Sequence, residues 1–276
     1  MRKPTLISIL VLAALLLTML GCQPIGTPAA SHTAAPSGAE TEETALLTER
    51  QIRILEEQGL PTSYEALSLT QKAAIEAIED MLCYLEQRYD DQFTYSGYVA
   101  NSGVEREHLY AVSEAYSNLG LVTVYRSYKD GSYTYSDNYS SLLAKPLYEE
   151  ALNDWIAQSI PEEAFIVFSE LSSADDDPQK ALILSQASAA SYILISEEAC
   201  TKEDLGALVD RFGPWIKEQA RGAQPSVTLF YLTSPETLSI ATGDTYQDLL
   251  PKLRDGVYYR CSLSEDGNLQ IHPGGG

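Results

Sequence analysis

Along the chain the apolar positions change period several times, and each change predicts an element. Residues 6–20 form an apolar run interrupted only by Ser8 and Thr18. Over 45–58, Leu47, Gln51, Ile54 and Leu55 fall on one side of a helix, which Gly59-Leu60-Pro61 ends as a C-terminal glycine followed by proline. Ser68 and Gln71 have capping-box spacing. Behind them Ile75, Ile78, Leu82, Leu85 and Tyr89 recur at three and four residues and predict a longer helix. The period then shortens to two. Residues 93–99, 107–115, 121–129 and 132–139 predict four strands, divided by Asn-Ser-Gly, Asn-Leu-Gly and Asp130-Gly131. Asp-Gly between alternating runs predicts a two-residue type I′ hairpin in which paired residue numbers sum to 261. That register places Val122, Val124, Arg126 and Tyr128 on one face, opposite Tyr139, Asp137, Tyr135 and Tyr133. Pro146 is expected to open a third helix with Leu147, Ala151, Leu152, Trp155 and Ile156 as its stripe, and Pro161 to end it.

A second set of elements comes next. Strands are expected over 164–171, 191–196, 227–232, 257–263 and 268–271, with a short helix over 246–253. Thr201 and Asp204 cap a helix carrying Leu205, Leu208, Val209 and Phe212, kinked or restarted at Gly213-Pro214. The fold class expected is α+β, with helices packed on antiparallel sheets in two small domains. The first, 45–160, is a helix, antiparallel meander and helix; the second is 161–276.

The leading apolar run comes after Met1-Arg2-Lys3-Pro4 and is shorter than the roughly 20 apolar residues a membrane span needs, so it reads as an export signal. Met19-Leu20-Gly21-Cys22 resembles the lipobox of bacterial lipoproteins. The resemblance implies that residues 1–21 are a removed signal peptide and that Cys22 becomes the lipidated first residue. It also implies a location on the outside face of the bacterial cell membrane, with the covalent lipid as the partner group. Met19 stands where that family usually has leucine. Two acyl chains suffice for stable anchoring where one does not. Residues 22–44, rich in Ala, Thr, Pro, Ser and Gly, read as a flexible tether with a span of roughly 25 Å. The segments Ile54-Leu55-Glu56-Glu57-Gln58-Gly59-Leu60-Pro61, Glu79-Asp80-Met81-Leu82-Cys83-Tyr84-Leu85-Glu86 and Phe93-Thr94-Tyr95 resemble uncharacterised extracytoplasmic lipoproteins, which adds location rather than activity.

Composition narrows the chemistry. The 276 residues carry 39 acidic against 18 basic side chains, a net charge of −21, and removing the two basic residues of the leader makes it −23. Without a basic stripe such a chain is not expected to bind nucleic acid, which requires clustered Lys and Arg. Of the three histidines only His108 falls within an expected element, and a lone strand histidine is more often satisfied or exposed than a general base. Ser136-Asp137-Asn138 lacks the partner motifs that would make it catalytic. Asp90-Asp91, Asp175-Asp176-Asp177 and Glu265-Asp266 lack the spacing of a calcium loop. No catalytic residue, metal ligand or cofactor is therefore assigned beyond the lipid. Beyond Cys22, Cys83, Cys200 and Cys261 allow one internal disulfide at most, and Cys83 falls on the polar side of its helix with no neighbour to lower its pKa.

The tyrosines are the remaining candidates. Arg126, Tyr128, Tyr133 and Tyr135 share one hairpin face, which is expected to pack as core, yet an arginine among the rings needs Asp137 or a ring face as partner. If the face is a site instead, replacing Arg126 and Tyr135 by alanine removes binding without unfolding the protein. These residues suit a non-catalytic binding module for a protein or an envelope polymer such as a glycan. The alternatives are an envelope glycan or peptide hydrolase using carboxylates that cannot be singled out, and a structural subunit of a membrane complex.

Overall fold

The computed structural model describes residues 47–220, 226–264 and 266–274. The expected leader, Cys22 and tether lie outside them. Helix α1 (Glu49–Glu57) starts at a capping box between Thr48 and Gln51. It ends in a Schellman motif: the Gly59 N–H donates to the Glu56 carbonyl at 3.0 Å and the Leu60 N–H to the Leu55 carbonyl at 2.9 Å. Gly59 takes φ +67°, the left-handed conformation that this cap requires. Helix α2 (Leu69–Tyr89) opens at the expected Ser68/Gln71 box and buries Ile75, Ile78, Met81, Leu82 and Leu85.

That stripe packs on an antiparallel sheet of β1 (Phe93–Val99), β2 (His108–Ser113), β3 (Val122–Lys129) and β4 (Ser132–Asp137), arranged in chain order. Phe93, Leu109, Ala111, Val122 and Val124 are among the buried residues the sheet supplies. Asp130 and Gly131 both have positive φ, 53° and 85°, as a type I′ turn demands. The resulting register pairs Val124 with Asp137, Arg126 with Tyr135 and Tyr128 with Tyr133. The ladder stops at Asp137. Tyr139, expected to lie opposite Val122, instead begins helix α3 (Tyr139–Ile156) and is buried.

Two compact units divide between Asp137 and Asn138, which corrects the expected boundary at residue 160. The reason is where α3 finds its partner. Ala144, Tyr148, Leu152 and Ile156 are buried in the core of the second unit, so α3 opens that unit instead of closing the first. Pro146 does not open α3 but lies inside it. Without an N–H it leaves one backbone bond unmade, a cost that burial of the flanking stripe outweighs.

The second unit continues with β5 (Phe165–Ala174), α4 (Ile183–Gln186), β6 (Ala187–Ser196), α5 (Lys202–Gln219), β7 (Ser226–Thr233), α6 (Pro235–Ile240), α7 (Tyr246–Leu253), β8 (Tyr258–Leu263) and β9 (Leu269–Gly274). The sheet order is β5-β6-β7-β8-β9. Most pairs are antiparallel as expected, but β6 and β7 run parallel, with α5 between them in sequence. Val167, Ile193, Ile195 and Phe230 join one buried cluster with α3 and α5. Phe168, Leu194 and Tyr231 join another with α6 and α7. A strand covered on both faces loses its alternation, which accounts for the continuous run Ile193-Leu194-Ile195. The protein is thus α+β, with two helix-packed sheets rich in antiparallel pairs.

Helix α5 runs unbroken through Gly213-Pro214. A Cβ at Gly213 would meet Leu269 at 2.8 Å and Ile271 at 3.0 Å, so this glycine makes room for β9 rather than a kink. Phe212 beside it packs edge-on to Trp155, Phe230 and, tilted, Trp215, with ring centroids 5.1, 4.9 and 5.5 Å away. Trp155 and Trp215 stack at 5.2 Å. Cys200 and Cys261 are buried free thiols, and burial pushes each up to about 11, which keeps them unreactive near neutrality.

Glu149 of α3 accepts the backbone N–H of Ser169 in the edge strand β5 at 2.7 Å. Burial pushes its carboxyl above the ordinary range, and the Ser169 bond and Lys145 only partly oppose this. The folded state therefore binds this proton more tightly than the unfolded state does. The associated stability is present at low pH and is lost as pH rises through the folded value. Glu149→Gln keeps an acceptor for Ser169 and removes the charge. Its melting temperature is expected to exceed wild type at about pH 7 and to converge with it at about pH 4. A lower value at neutral pH would show that the charge itself stabilises.

Candidate binding cleft

The tip of the β3–β4 hairpin, the loop over 100–107 and the first turns of α2 enclose an open cleft of about 590 Å³ in the first unit. Its walls include Thr70 and Ala73 from α2, Tyr98, Asn101, Val104 and Arg106 from β1 and the loop, and Arg126, Ser127, Tyr128 and Tyr133 from the hairpin. The hairpin register puts Tyr128 and Tyr133 side by side, with ring centroids 5.1 Å apart and the planes at 64°. Both remain in water, at 67% and 48% exposure.

Arg126 lies beneath them and is 8% exposed. Its Nε donates to Glu107 Oε2 at 2.8 Å and its Nη2 to Glu107 Oε1 at 3.0 Å, a two-pronged pair. Its Nη1 reaches Asp80 Oδ2 at 3.0 Å, and its guanidinium lies 4.1 Å from the centre of the Tyr133 ring. Burial alone would lower the Arg126 pKa, but the hydrogen bonds and charge of Glu107, with Tyr133 and Asp80 adding to them, carry it above its ordinary value. Tyr98 donates its hydroxyl to Glu107 Oε1 at 2.5 Å. Burial, and then that carboxylate, push the Tyr98 hydroxyl well above its ordinary value, so it stays a donor. Glu107 thus accepts three hydrogen bonds and fixes both the arginine and the cleft floor.

Three of the four sequence-predicted residues, Arg126, Tyr128 and Tyr133, line this cleft. Tyr135 stands apart from it and stacks on Tyr84 of α2, with centroids 5.0 Å apart and planes at 18°. Of the two partners expected for Arg126, Asp137 or a ring face, the ring face is present in Tyr133, and Asp137 is engaged elsewhere. Asp137 accepts the hydroxyls of Tyr84 and Tyr89, each at 2.8 Å, and lies 3.3 Å from Arg88, pinning the end of β4 to α2. Burial, and next Asp137, push the Tyr84 hydroxyl up to about 12. Arg126 and Tyr135 are therefore embedded in packing. Replacing both by alanine is expected to unfold this unit, the outcome that goes with the core expectation for these two residues, whereas Tyr128 and Tyr133, expected in the same core face, are exposed. His108 is a satisfied strand residue: its ring nitrogens lie 2.8 Å from the Arg106 carbonyl oxygen and 3.0 Å from the Tyr110 hydroxyl.

Sequence reasoning missed Tyr98, Glu107 and the loop between them. Glu107 faces Arg126 because β2 and β3 pair His108 with Tyr125, and the next step of that ladder brings the Arg126 N–H to the Glu107 carbonyl at 3.1 Å. The 114–121 connection between these strands has no turn tight enough to fix that register in advance.

A second cleft, of about 440 Å³, lies between α1, α2 and β1 and is lined by Glu49, Glu57, Glu79, Glu86 and Glu114 against Arg50 and Arg53. Arg50 bridges Glu79 and Glu86, and its Nη2 lies 3.7 Å from Cys83 Sγ. A cation does therefore stand beside Cys83, where none was expected. Among the described residues no group of three or more His, Cys, Asp or Glu is placed to hold a metal ion.

No protein-family model matches the chain, and no curated protein does either. Among solved structures it is similar to the crystal structure of a DUF5037 family protein from Ruminococcus gnavus ATCC 29149. The identity is 10%, the TM-score is 0.40, and the match covers 70% of this chain and 93% of that one.

Proposed function

We propose that the protein is a lipid-anchored, extracytoplasmic, non-catalytic binding module for a protein or an envelope polymer, and that the tyrosine cleft is its binding site. The observation that carries this reading is a pair of exposed tyrosine rings in contact, one of them, Tyr133, held against the buried Arg126. Large, stiff, amphipathic rings give contact area at little cost in conformational entropy, and an anchored ring loses less still on binding. Arg126, buried, and Glu107, largely covered, are spent on one another. Groups engaged in that way hold a surface in shape. The lipobox residues at Cys22 support the anchoring part of the proposal, together with a signal-like leader.

The test uses the full-length protein in detergent as bait against solubilised envelope and culture medium. A saturable partner is expected, and capture should fall at least about tenfold in Tyr128→Ser and Tyr133→Ser with melting curves close to wild type. Capture that ignores both substitutions would remove the cleft from the proposal. Cys22→Ala is expected to abolish metabolic lipid labelling, and persistent labelling would refute the anchor.

A further inference from the structure

We infer that the ligand of the tyrosine cleft is an uncharged glycan chain. The inference rests on the cleft being a binding site and adds the chemical class of what it holds. Three observations lead to it. The first is shape: about 590 Å³ lies within the range of pockets that take small ligands, and the cleft is open to solvent.

The second is the arrangement of surfaces. A pyranose ring presents C–H groups on its two faces and hydroxyls around its rim. It therefore needs a flat apolar platform with polar groups set at the edges. Tyr128 and Tyr133 supply two exposed rings set at 64° to one another, so that one ring can take a sugar face while the other meets its edge. Asn101 lines the same cleft and is a polar group available there. Asn101 is already oriented, since its Oδ1 accepts the Gly103 N–H at 3.1 Å and that bond sets the direction of its amide.

Charge is the third observation, and it selects among polymers. The chain carries −21, and the neighbouring α1/β1 cleft has five glutamates against two arginines. The tyrosine cleft departs from this excess: Glu105 and Glu107 are matched by Arg106 and Arg126. Its cations are also committed. Arg126 is held by Glu107 and Asp80, and Arg106 stacks 4.9 Å over the Tyr125 ring while reaching Ser127 Oγ at 3.3 Å. An anionic polymer would cross a repulsive field to meet arginines already partnered. A cationic peptide would find Glu107 saturated by three hydrogen bonds and only the exposed carboxylate of Glu105 to meet, which favours it less than a site with converging carboxylates. A neutral polyhydroxylated chain meets neither penalty.

The experiment is calorimetry on the full-length protein in a polyoxyethylene detergent, which has no sugar head group to compete. The probes are maltohexaose, cellohexaose, xylohexaose and mannohexaose, compared with an oligogalacturonate, pentalysine and an uncharged Ala/Ser hexapeptide. At least one neutral hexasaccharide is expected to bind with Kd between about 10 µM and 1 mM. That affinity should change less than about twofold between low and high salt, because no ion pair forms. Tyr128→Ala and Tyr133→Ala should each weaken it at least about tenfold, and Tyr128→Phe, which keeps the ring, should not. Failure of all four neutral hexasaccharides overturns the inference, as does binding indifferent to both alanine variants or preferring a charged probe. Tyrosine-dependent binding of the uncharged peptide alone overturns the glycan and leaves the cleft as a binding site. Shortening of a bound hexasaccharide on incubation supports the glycan and overturns the non-catalytic reading.

Discussion

Arg126→Leu is expected to destabilise the first unit by about 3–5 kcal/mol, measured by urea unfolding followed by circular dichroism. Little of that cost is the loss of attraction. Glu107 is only 14% exposed on its side chain, and without the arginine it keeps the Tyr98 hydroxyl but no cation. A carboxylate left that way loses its countercharge without regaining water. Asp80 loses its contact too, but it is half in solvent and so contributes little. The whole unfolding free energy of a small domain is about 5–15 kcal/mol, so the variant should lose a large fraction of its stability. Replacing Glu107 as well, as Arg126→Leu with Glu107→Met, removes the stranded charge and should recover at least half of the loss. A single variant within about 1 kcal/mol of wild type would show that Glu107 relaxes into water.

The second unit has a corresponding weak point at Phe212. Its side chain is fully buried and touches Trp155, Trp215 and Phe230, rings contributed by two helices and a central strand. Phe212→Ala should cost about 3–5 kcal/mol, because stacked rings cannot close around the space left. Phe212→Leu keeps most of the volume and should cost about 1–1.5 kcal/mol. The same urea experiment distinguishes them. Equal costs for the two substitutions would mean that ring geometry, rather than volume, sets the stability there.

What could be read from the chain beforehand divides along a physical line. Capping boxes at Ser68 and Thr201 and the Asp130-Gly131 turn act within four residues, and the structure has all three where the sequence puts them. The hairpin register, and with it the pairing of Tyr128 with Tyr133, came from the turn alone. Decisions made across long separations were not legible. Pro146 reads as a helix start because its local chemistry says so, and only the distant sheet under α3 keeps it internal. The parallel pairing of β6 with β7 depends on a crossover through α5, and no local signal states it. In the cleft, the rings came from local alternation. The partners of Arg126 did not, because Glu107 and Asp80 arrive from another strand and a helix.

One arrangement in the second unit decides what light can report about this molecule. Both of the protein's tryptophans, Trp155 and Trp215, sit there, stacked and against Phe212. Tryptophan emission is therefore a gauge of that unit alone. It tracks the loosening of the Phe212 cluster closely, and a transition confined to the first unit passes without a tryptophan to record it. The cleft is ringed instead by tyrosines, whose weaker ultraviolet absorbance is the native optical handle on whatever settles over Tyr128 and Tyr133. A tryptophan placed at either position would give the first unit its own colour in the spectrum.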